Sequence, residues 1–580
     1  MSAAQLRAGR VGRHDADSQP GLWPLVGVLL SCLFLGYFVE LDHGVLSSAG
    51  FSPIFALLLA VYDAHAAVLS TLICCAAAFW TNCAPIDGVA ARFGRKPMIV
   101  IAAFVLAAAA LTIFVYHDAP LAMDEYAAVF QSKVFAHGRI AAQLPPYLVK
   151  WLIAPGFNGV FLFASPITGN AVEAYWPGFA LLLAPFQRLG LPWLCNPLLA
   201  GGALYLTHQI TLEITADRRT AGFAVLFAIA SGAFVANAIS FYSMQAHLTA
   251  NLLYAWLLMS PSRRRAFLAG LVGSLALILH NPVPHALFAI PWLASMAIDR
   301  GRRKFLLPLV FGYLPVTIVG GFGWFLYRNG IGDDLHRAAS SLSGFASIYR
   351  WPDAVMMNAR AAGLVKMWVW AAPCLLLFAS IGFFRRRRDR NVRLLGWSAI
   401  CTLAGYMFVV FDQGHGWGYR YFHSAWGSVP ILAACAMTGN SAASVRLRSF
   451  AGANAILGLA LLVPFQLTQM QGFIEWHQAQ VPAPIRPGND VYFVRPAGGF
   501  YIGDLIQNDP NLRSKDLILF SHGSQRDAAL VHRYWPPATR VAWGPFGEEW
   551  NLGPIDQRRR TRADPHLHFV FPAAPVTRSR

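Results

Sequence analysis

Charge is what this sequence of 580 residues has least of: 13% of its residues are Asp, Glu, Lys or Arg, against 56% that are hydrophobic. A soluble core cannot hide that much apolar surface, so a soluble globular chain is excluded. Acids are the scarcer sign, 28 against 46 Lys and Arg. The resulting net charge of +18 does not point to nucleic acid, because the basic residues fall in short clusters between apolar runs, as in the loops of membrane proteins. Cysteine offers no framework either. Cys32, Cys74, Cys75, Cys195, Cys374, Cys401 and Cys435 lie in apolar runs and Cys83 ends one, which suits small core residues rather than disulfides or a zinc site. No clear internal repeat is present, as a transporter built from repeats would have. The basic start, MSAAQLRAGRVGRH, is followed by no small-residue cleavage pattern, so the apolar stretch Leu22 to Val39 is expected to stay as a first membrane helix.

What the sequence has in abundance is long apolar runs. They predict an α-helical polytopic membrane protein, with about 13 transmembrane helices and a small C-terminal extramembrane domain of mixed α/β or β type. Four basic clusters, Arg263 to Arg265, Arg300 to Lys304, Arg385 to Arg388, and Arg446 with Arg448, are separated by even numbers of runs, so all can share one side with Arg92, Arg95 and Lys96. The short acidic loop at Glu40, Asp42 and His43, the turn at His280 to Pro282, the loop from Arg328 to Gly363 and the GHGWGYRYF loop from Gly414 to Phe422 then face the opposite side, together with Asp124. Tyr175 to Leu189 breaks the alternation; it is short, carries Pro177, Gly178 and Pro185, and is expected to be re-entrant or partly inserted. Ala266 to Leu279 is also short, about 21 Å against a hydrocarbon core of about 30 Å. The tail from residue 471 turns polar and contains strand-like pieces DVYFV, DLILF, RVAWG and HLHFVF. Three parts follow: N-terminal helices over 1–97, a core over 98–467 with a first outer loop at 117–174, and a C-terminal domain over 471–580.

Acid is informative where it is rare. Asp118, Asp124 and Glu125 surface just beyond the apolar run Met98 to Tyr116, and carboxylates at a membrane boundary suit proton chemistry. The competing reading is that Asp124 and Glu125 complement the dipole of the helix that AAVFQSKVFAHG predicts, with Val129, Phe130, Val134 and Phe135 on one face. Further along, LPPYLVKWLIAPGFNG sets Lys150 among Trp151 and Phe157, like a segment lying in the membrane interface with a cation for an anionic lipid head. In GHGWGYRYF, His415, Arg420 and the nearby His423 sit between aromatics, and a guanidinium there suits a phosphate. Gln245, His247, His280, Asn281 and His285 are expected at the same membrane face, where helix-to-helix contacts compete with a site role. Asp124, Glu125, His415 and His423 are the ligands a divalent metal would use; no HxxxH-type spacing supports one, so neither metal nor cofactor is assigned.

The order of these motifs resembles a family. An Asp-Glu pair outside an early helix, then AYWPGFALLLAPFQRLGLP, then NPLLAGGALYL, and finally a Gly-Tyr-Arg-Tyr loop before a late helix is similar to the GT-C membrane glycosyltransferases. Among them are bacterial relatives of the protein O-mannosyltransferases, of the lipid A aminoarabinose transferases and of the galacturonic acid transferases of lipopolysaccharide core. The resemblance covers Met98 to Leu467. It departs in the helices before Met98 and in Trp176-Pro177, where the family commonly has a proline pair. What it implies is a GT-C-like bundle in the inner membrane that takes a sugar from a polyprenyl phosphate and passes it to a lipid, glycan or protein hydroxyl at the extracytoplasmic face. It implies Asp124 as general base with Glu125 assisting, and Arg420, with Lys150 or Arg350, at the donor phosphate. Tyr175, Trp176, His280, Asn281, His415, Tyr419 and Tyr421 are expected to line the substrate.

Overall fold

The computed structural model describes residues 22–39, 51–331, 348–481, 490–513 and 516–552. The expected acidic loop at Glu40, Asp42 and His43, residues 332–347 of the loop between Arg328 and Gly363, and the HLHFVF piece lie outside them.

Helix formation follows the apolar runs closely. Leu22–Val39 is helical over the expected range, Pro97–Phe114 replaces Met98 to Tyr116, and Met244–Met259 replaces Tyr242 to Met259. Apolar side chains stand in the open on Leu22–Val39, Pro97–Phe114 and Arg303–Gly330: Leu33 is 69% exposed, Leu106 72% and Val319 75%. Such faces would be costly in water and are at home in hydrocarbon, so the bundle is that of a multi-pass membrane protein.

The number of crossings is less regular than the runs suggest. Among the described residues four helices are long and apolar enough to span unbroken: Pro53–Ala78, Pro97–Phe114, Arg303–Gly330 and Ala442–Gln478. Two further candidates are bent pairs, Arg218–Ile229 with Gly232–Ile239 at 65°, and Ala354–Trp370 with Leu375–Arg385 at 94°. The expected thirteen runs therefore include several short or broken helices. Breaks of this kind survive inside a bundle only where the freed backbone groups find partners. Here the freed groups find partners: the Ala372 N–H in one break donates to Ser231 Oγ in the other at 3.1 Å, and Gln466 Nε2 of the helix Val463–Gln478 donates to the Val369 carbonyl at 3.1 Å. Tyr175 to Leu189 resolves into Gly178–Leu189; its 12 residues span about 18 Å, too little to cross.

The basic clusters converge at one end. Asp87 receives both Arg219 and Arg448, Arg386 reaches the Ile214 carbonyl, and Arg302 reaches that of Leu258. Arg92 and Arg95 lie on a helix, Ala84–Arg95, where a loop was expected. Its fit is close: a Cβ on Gly94 would lie 1.7 Å from the Arg218 carbonyl oxygen. The N-terminal helices are not an appendage, since Ile54, Leu58, Ile73 and Cys74 belong to the same apolar core as Phe227, Trp370 and Phe450.

At the other end sit two small sheets. Ala142–Gln143, Asn170–Glu173 and Leu162–Ala164 form an antiparallel sheet in that spatial order within the first large loop. The C-terminal domain has a mixed four-stranded sheet with Leu517–Phe520 at one edge, then Asp490–Val494, Gly547–Asn551 and Thr539–Gly544, plus the helix Ser524–Tyr534. DVYFV, DLILF and RVAWG all become strands, while the preceding helix runs on to Gln478. The segment around Lys150 differs from the expected interfacial anchor. Leu148, Val149 and Leu152 share a core with Val491, Leu519 and Val531 of the C-terminal domain, and Trp151 Nε1 donates to Asp527. Its aromatics Trp151 and Phe157 pack, half-buried, against that core.

Deep in the bundle Lys366 pairs with Asp63, each 1% exposed, and Trp370 Nε1 donates to the other Asp63 oxygen at 2.7 Å. Removing one partner strands a buried charge. Lys366→Met alone is expected to cost about 3–5 kcal/mol, and Asp63→Leu with Lys366→Met much less; thermal unfolding of the detergent-extracted chain measures both.

Candidate active site

Asp124 and Glu125 are adjacent in sequence at the second and third positions of the helix Met123–Ala136, so their side chains diverge by about 100° around its axis. That divergence gives them different surroundings. Glu125 is fully buried. One of its oxygens accepts from the N–H groups of Leu121 at 2.7 Å and Ala122 at 3.3 Å, the other from the Tyr116 hydroxyl at 2.9 Å and the Phe241 N–H at 2.8 Å. The contact to Ala122 is half of a capping box. Burial pushes the Glu125 carboxyl up to about 7 although these donors pull the other way. Enclosed by four donors, it pins the helix start to the Phe241 backbone and is out of a substrate's reach.

Asp124 faces elsewhere. A quarter of its side chain is exposed. Its Oδ1 accepts from the Tyr175 hydroxyl, and its Oδ2 accepts from both Nη atoms of Arg420 at 3.2 Å. Burial raises the Asp124 carboxyl, but the Arg420 charge, helped by His280 and the Tyr175 hydroxyl, prevails and holds it below the usual carboxylate range.

Arg420 is placed by its loop. Gln413 binds it twice, Oε1 accepting the Arg420 N–H at 2.8 Å and the Gln413 carbonyl accepting from Nη2, while Gln413 Nε2 donates to the carbonyls of Gly416 and Gly418. The glycine at 416 is required on two counts: its φ is +111°, and a Cβ there would lie 2.4 Å from Arg420 Cδ. Beneath the guanidinium lies the Tyr242 ring, 4.2 Å from its carbon.

The remaining expected residues divide. Tyr175 packs against His280 with ring centroids 3.9 Å apart and planes tilted by 35°. The Trp176 backbone N–H donates to the His280 carbonyl, and the Trp176 ring lies against Gly321. Asn281 Oδ1 accepts the Val283 N–H at 3.1 Å, two residues on in the same turn. Tyr419 is buried against Gly363, and Tyr421 stacks on Tyr406 and donates to the Asp412 carbonyl. His415 meets Asp504 of the C-terminal domain at 2.7 Å. His423 lies 3.3 Å from Gln245. Two expected cations are not brought to Asp124: Lys150 is exposed beside the C-terminal domain, its carbonyl taken by His522, and Arg350 is 54% exposed and paired with Asp353. Among the described residues no three His, Cys, Asp or Glu side chains gather where they could hold a metal ion.

Asp124, Arg420, Tyr175, Tyr242 and His280 thus form one site at the end of the bundle opposite the basic clusters. Two solved structures are similar to this chain. ArnT from Cupriavidus metallidurans bound to undecaprenyl phosphate is 13% identical, over 78% of this chain and 98% of that one, with a TM-score of 0.48. ArnT from the same organism in the apo state is 12% identical, over 78% and 97%, with a TM-score of 0.44. No family model and no curated protein matches the chain.

Sequence reading missed Tyr116, Tyr242, Gln413 and Asp504. The first two sit at helix ends near the boundary, where aromatics are common. Asp504 carries no local signal, being a lone acid in a polar tail. Its segment nevertheless touches both halves of the site: Asp504 meets His415 on the Arg420 loop, while on the Asp124 side Gln507 Nε2 donates to the Pro120 carbonyl at 3.0 Å and the Tyr126 hydroxyl donates to the Asn508 carbonyl at 2.6 Å. Glu125→Ala would leave buried donors at Leu121, Tyr116 and Phe241 unpaired and is expected to lower stability by about 2 kcal/mol or more. Thermal unfolding in detergent checks it, with Glu125→Gln, which keeps one acceptor oxygen, falling between Ala and native.

Proposed function

We propose that the chain is a polyprenyl-phosphate-dependent glycosyltransferase of GT-C type, in which Asp124 is the general base and Arg420 stabilises the departing phosphate. The observation that carries the reading is the pairing of a quarter-exposed carboxylate with a buried, loop-held guanidinium at the membrane boundary. The motif order that resembles the family supports it. In this reading the acceptor hydroxyl gives its proton to Asp124 as its oxygen forms a bond to the anomeric carbon. The bond from that carbon to the phosphate oxygen breaks, and its electron pair leaves with the lipid phosphate. Negative charge therefore grows where Arg420 donates, in surroundings of low dielectric that strengthen the interaction. One displacement of this kind inverts the anomeric carbon; retention would need a covalent carboxylate intermediate. The Tyr175 hydroxyl on the other Asp124 oxygen fixes the carboxylate's orientation, and His280 backs the Tyr175 ring.

The acceptor, whether lipid, glycan or protein, would approach from the extracytoplasmic side of the inner membrane, where the C-terminal domain also lies in this reading. The competing functions are transport and non-catalytic assembly. A transporter would use ionisable residues in mid-bundle, but Asp63 and Lys366 there satisfy each other.

Membranes carrying the native chain should transfer labelled sugar from one of a panel of polyprenyl phosphate sugars. Asp124→Asn should reduce that transfer by about 10²- to 10⁴-fold at equal detergent-extracted yield, and Arg420→Lys by about 10²-fold or more. Equal transfer by Asp124→Asn and native would remove Asp124 from the chemistry.

A further inference from the structure

Both carboxylate oxygens of Asp124 are engaged within the protein, Oδ1 by Tyr175 and Oδ2 by Arg420. A base in that position is poorly placed to take a proton. Arg420 shows the complementary imbalance: its two Nη atoms converge on a single Asp124 oxygen, Nη2 also donating to the Gln413 carbonyl, and its buried Nε has no partner among the described residues. Guanidinium groups satisfy phosphates through several nitrogens at once, and a carboxylate met through one oxygen uses less of that capacity. The orphaned Nε is therefore a donor that a phosphate can use and Asp124 does not.

We propose that Arg420 exchanges partners during the reaction: a phosphate ester displaces Asp124 from the guanidinium, and the Asp124 carboxylate is freed as a base only when the donor is seated. The inference rests on the transferase reading above and adds a coupling between donor binding and base strength. The loop geometry suits the exchange, because Gln413 holds the Arg420 backbone N–H and Nη2 independently of Asp124. Asp124 is likewise held by Tyr175 independently of Arg420.

The charged and titratable groups facing Asp124 from the packed elements are Arg420, Tyr175, His280 and Tyr242, with Glu125 beside it on its own helix. Burial pushes His280 down to about 4, against the pull of Asp124, so it is neutral near pH 7. Diverting Arg420 to a phosphate thus removes the one full positive charge among these groups. A carboxylate that loses such a partner becomes a stronger base. The sign follows: Asp124 must be ionised to act, so the acid limb of kcat, which reports the donor complex, should lie at higher pH than the acid limb of kcat/KM, which reports the free enzyme. Coincident limbs would count against the exchange.

Competition also has a consequence for binding without chemistry. If Asp124 and phosphate share Arg420, removing the carboxylate charge favours phosphate. Undecaprenyl phosphate, added without sugar to the purified full-length chain, should bind Asp124→Asn about fivefold or more tighter than native, while Arg420→Lys weakens it. Asp124→Ala repeats the measurement in case the amide misfolds, with thermal unfolding as the check. Asp118→Asn, which removes a nearby acid outside the site, should leave binding unchanged. Equal tightening by Asp118→Asn would assign the effect to bulk charge and overturn the exchange. Binding to the native chain that Asp124→Asn and Asp124→Ala leave unchanged or weaken overturns the exchange and leaves the transferase reading in place. Binding to none of these chains overturns both.

Discussion

The ion pair between Asp124 and Arg420 is the constraint that the rest of this end of the molecule serves. Its partners are 296 residues apart in sequence and belong to different elements, so neither can find the other by local structure. Each is fixed by a buried anchor one step away. Glu125 ties the start of the Asp124 helix to the Phe241 backbone, and Gln413 ties Arg420 to its own loop. In both cases a side chain with its own hydrogen bonds satisfied holds one member of the ion pair in place.

A second layer of restraint comes from outside the bundle. Residues 504–508 of the C-terminal domain reach His415 on the Arg420 loop, Pro120 just before the Asp124 helix and Tyr126 within it. Buried polar contacts of this kind are specific in geometry because leaving either partner unpaired is costly. The domain therefore holds the two sides of the site in a set relation. The N-terminal helices do the same from within: Ser52 donates to Asp412 at the base of the Arg420 loop, and Asp63 reaches Lys366 and Trp370 on a neighbouring helix. Trp370 in turn packs on Trp417 of that loop. Both flanking regions are thus built into the site.

The sequence by itself determined the membrane character, the position of most helices, the segregation of basic clusters to one end and the standing of Asp124 and Arg420 as candidates. Each of these rests on hydropathy, charge scarcity or short spacing, which are local properties. Only the tertiary structure decided how Asp124 and Glu125 differ, because two neighbours on a helix point in different directions and the surroundings of each come from remote residues. It also decided which cation meets Asp124: Arg420 does, while Lys150 is exposed, with only its carbonyl bound by His522, and Arg350 pairs with Asp353. Helix breaks at Ser231 and Ala372, and the contributions of Tyr242 and Asp504, were equally beyond reach, since a broken helix or a buried acid is stable only through partners that lie far away in the chain.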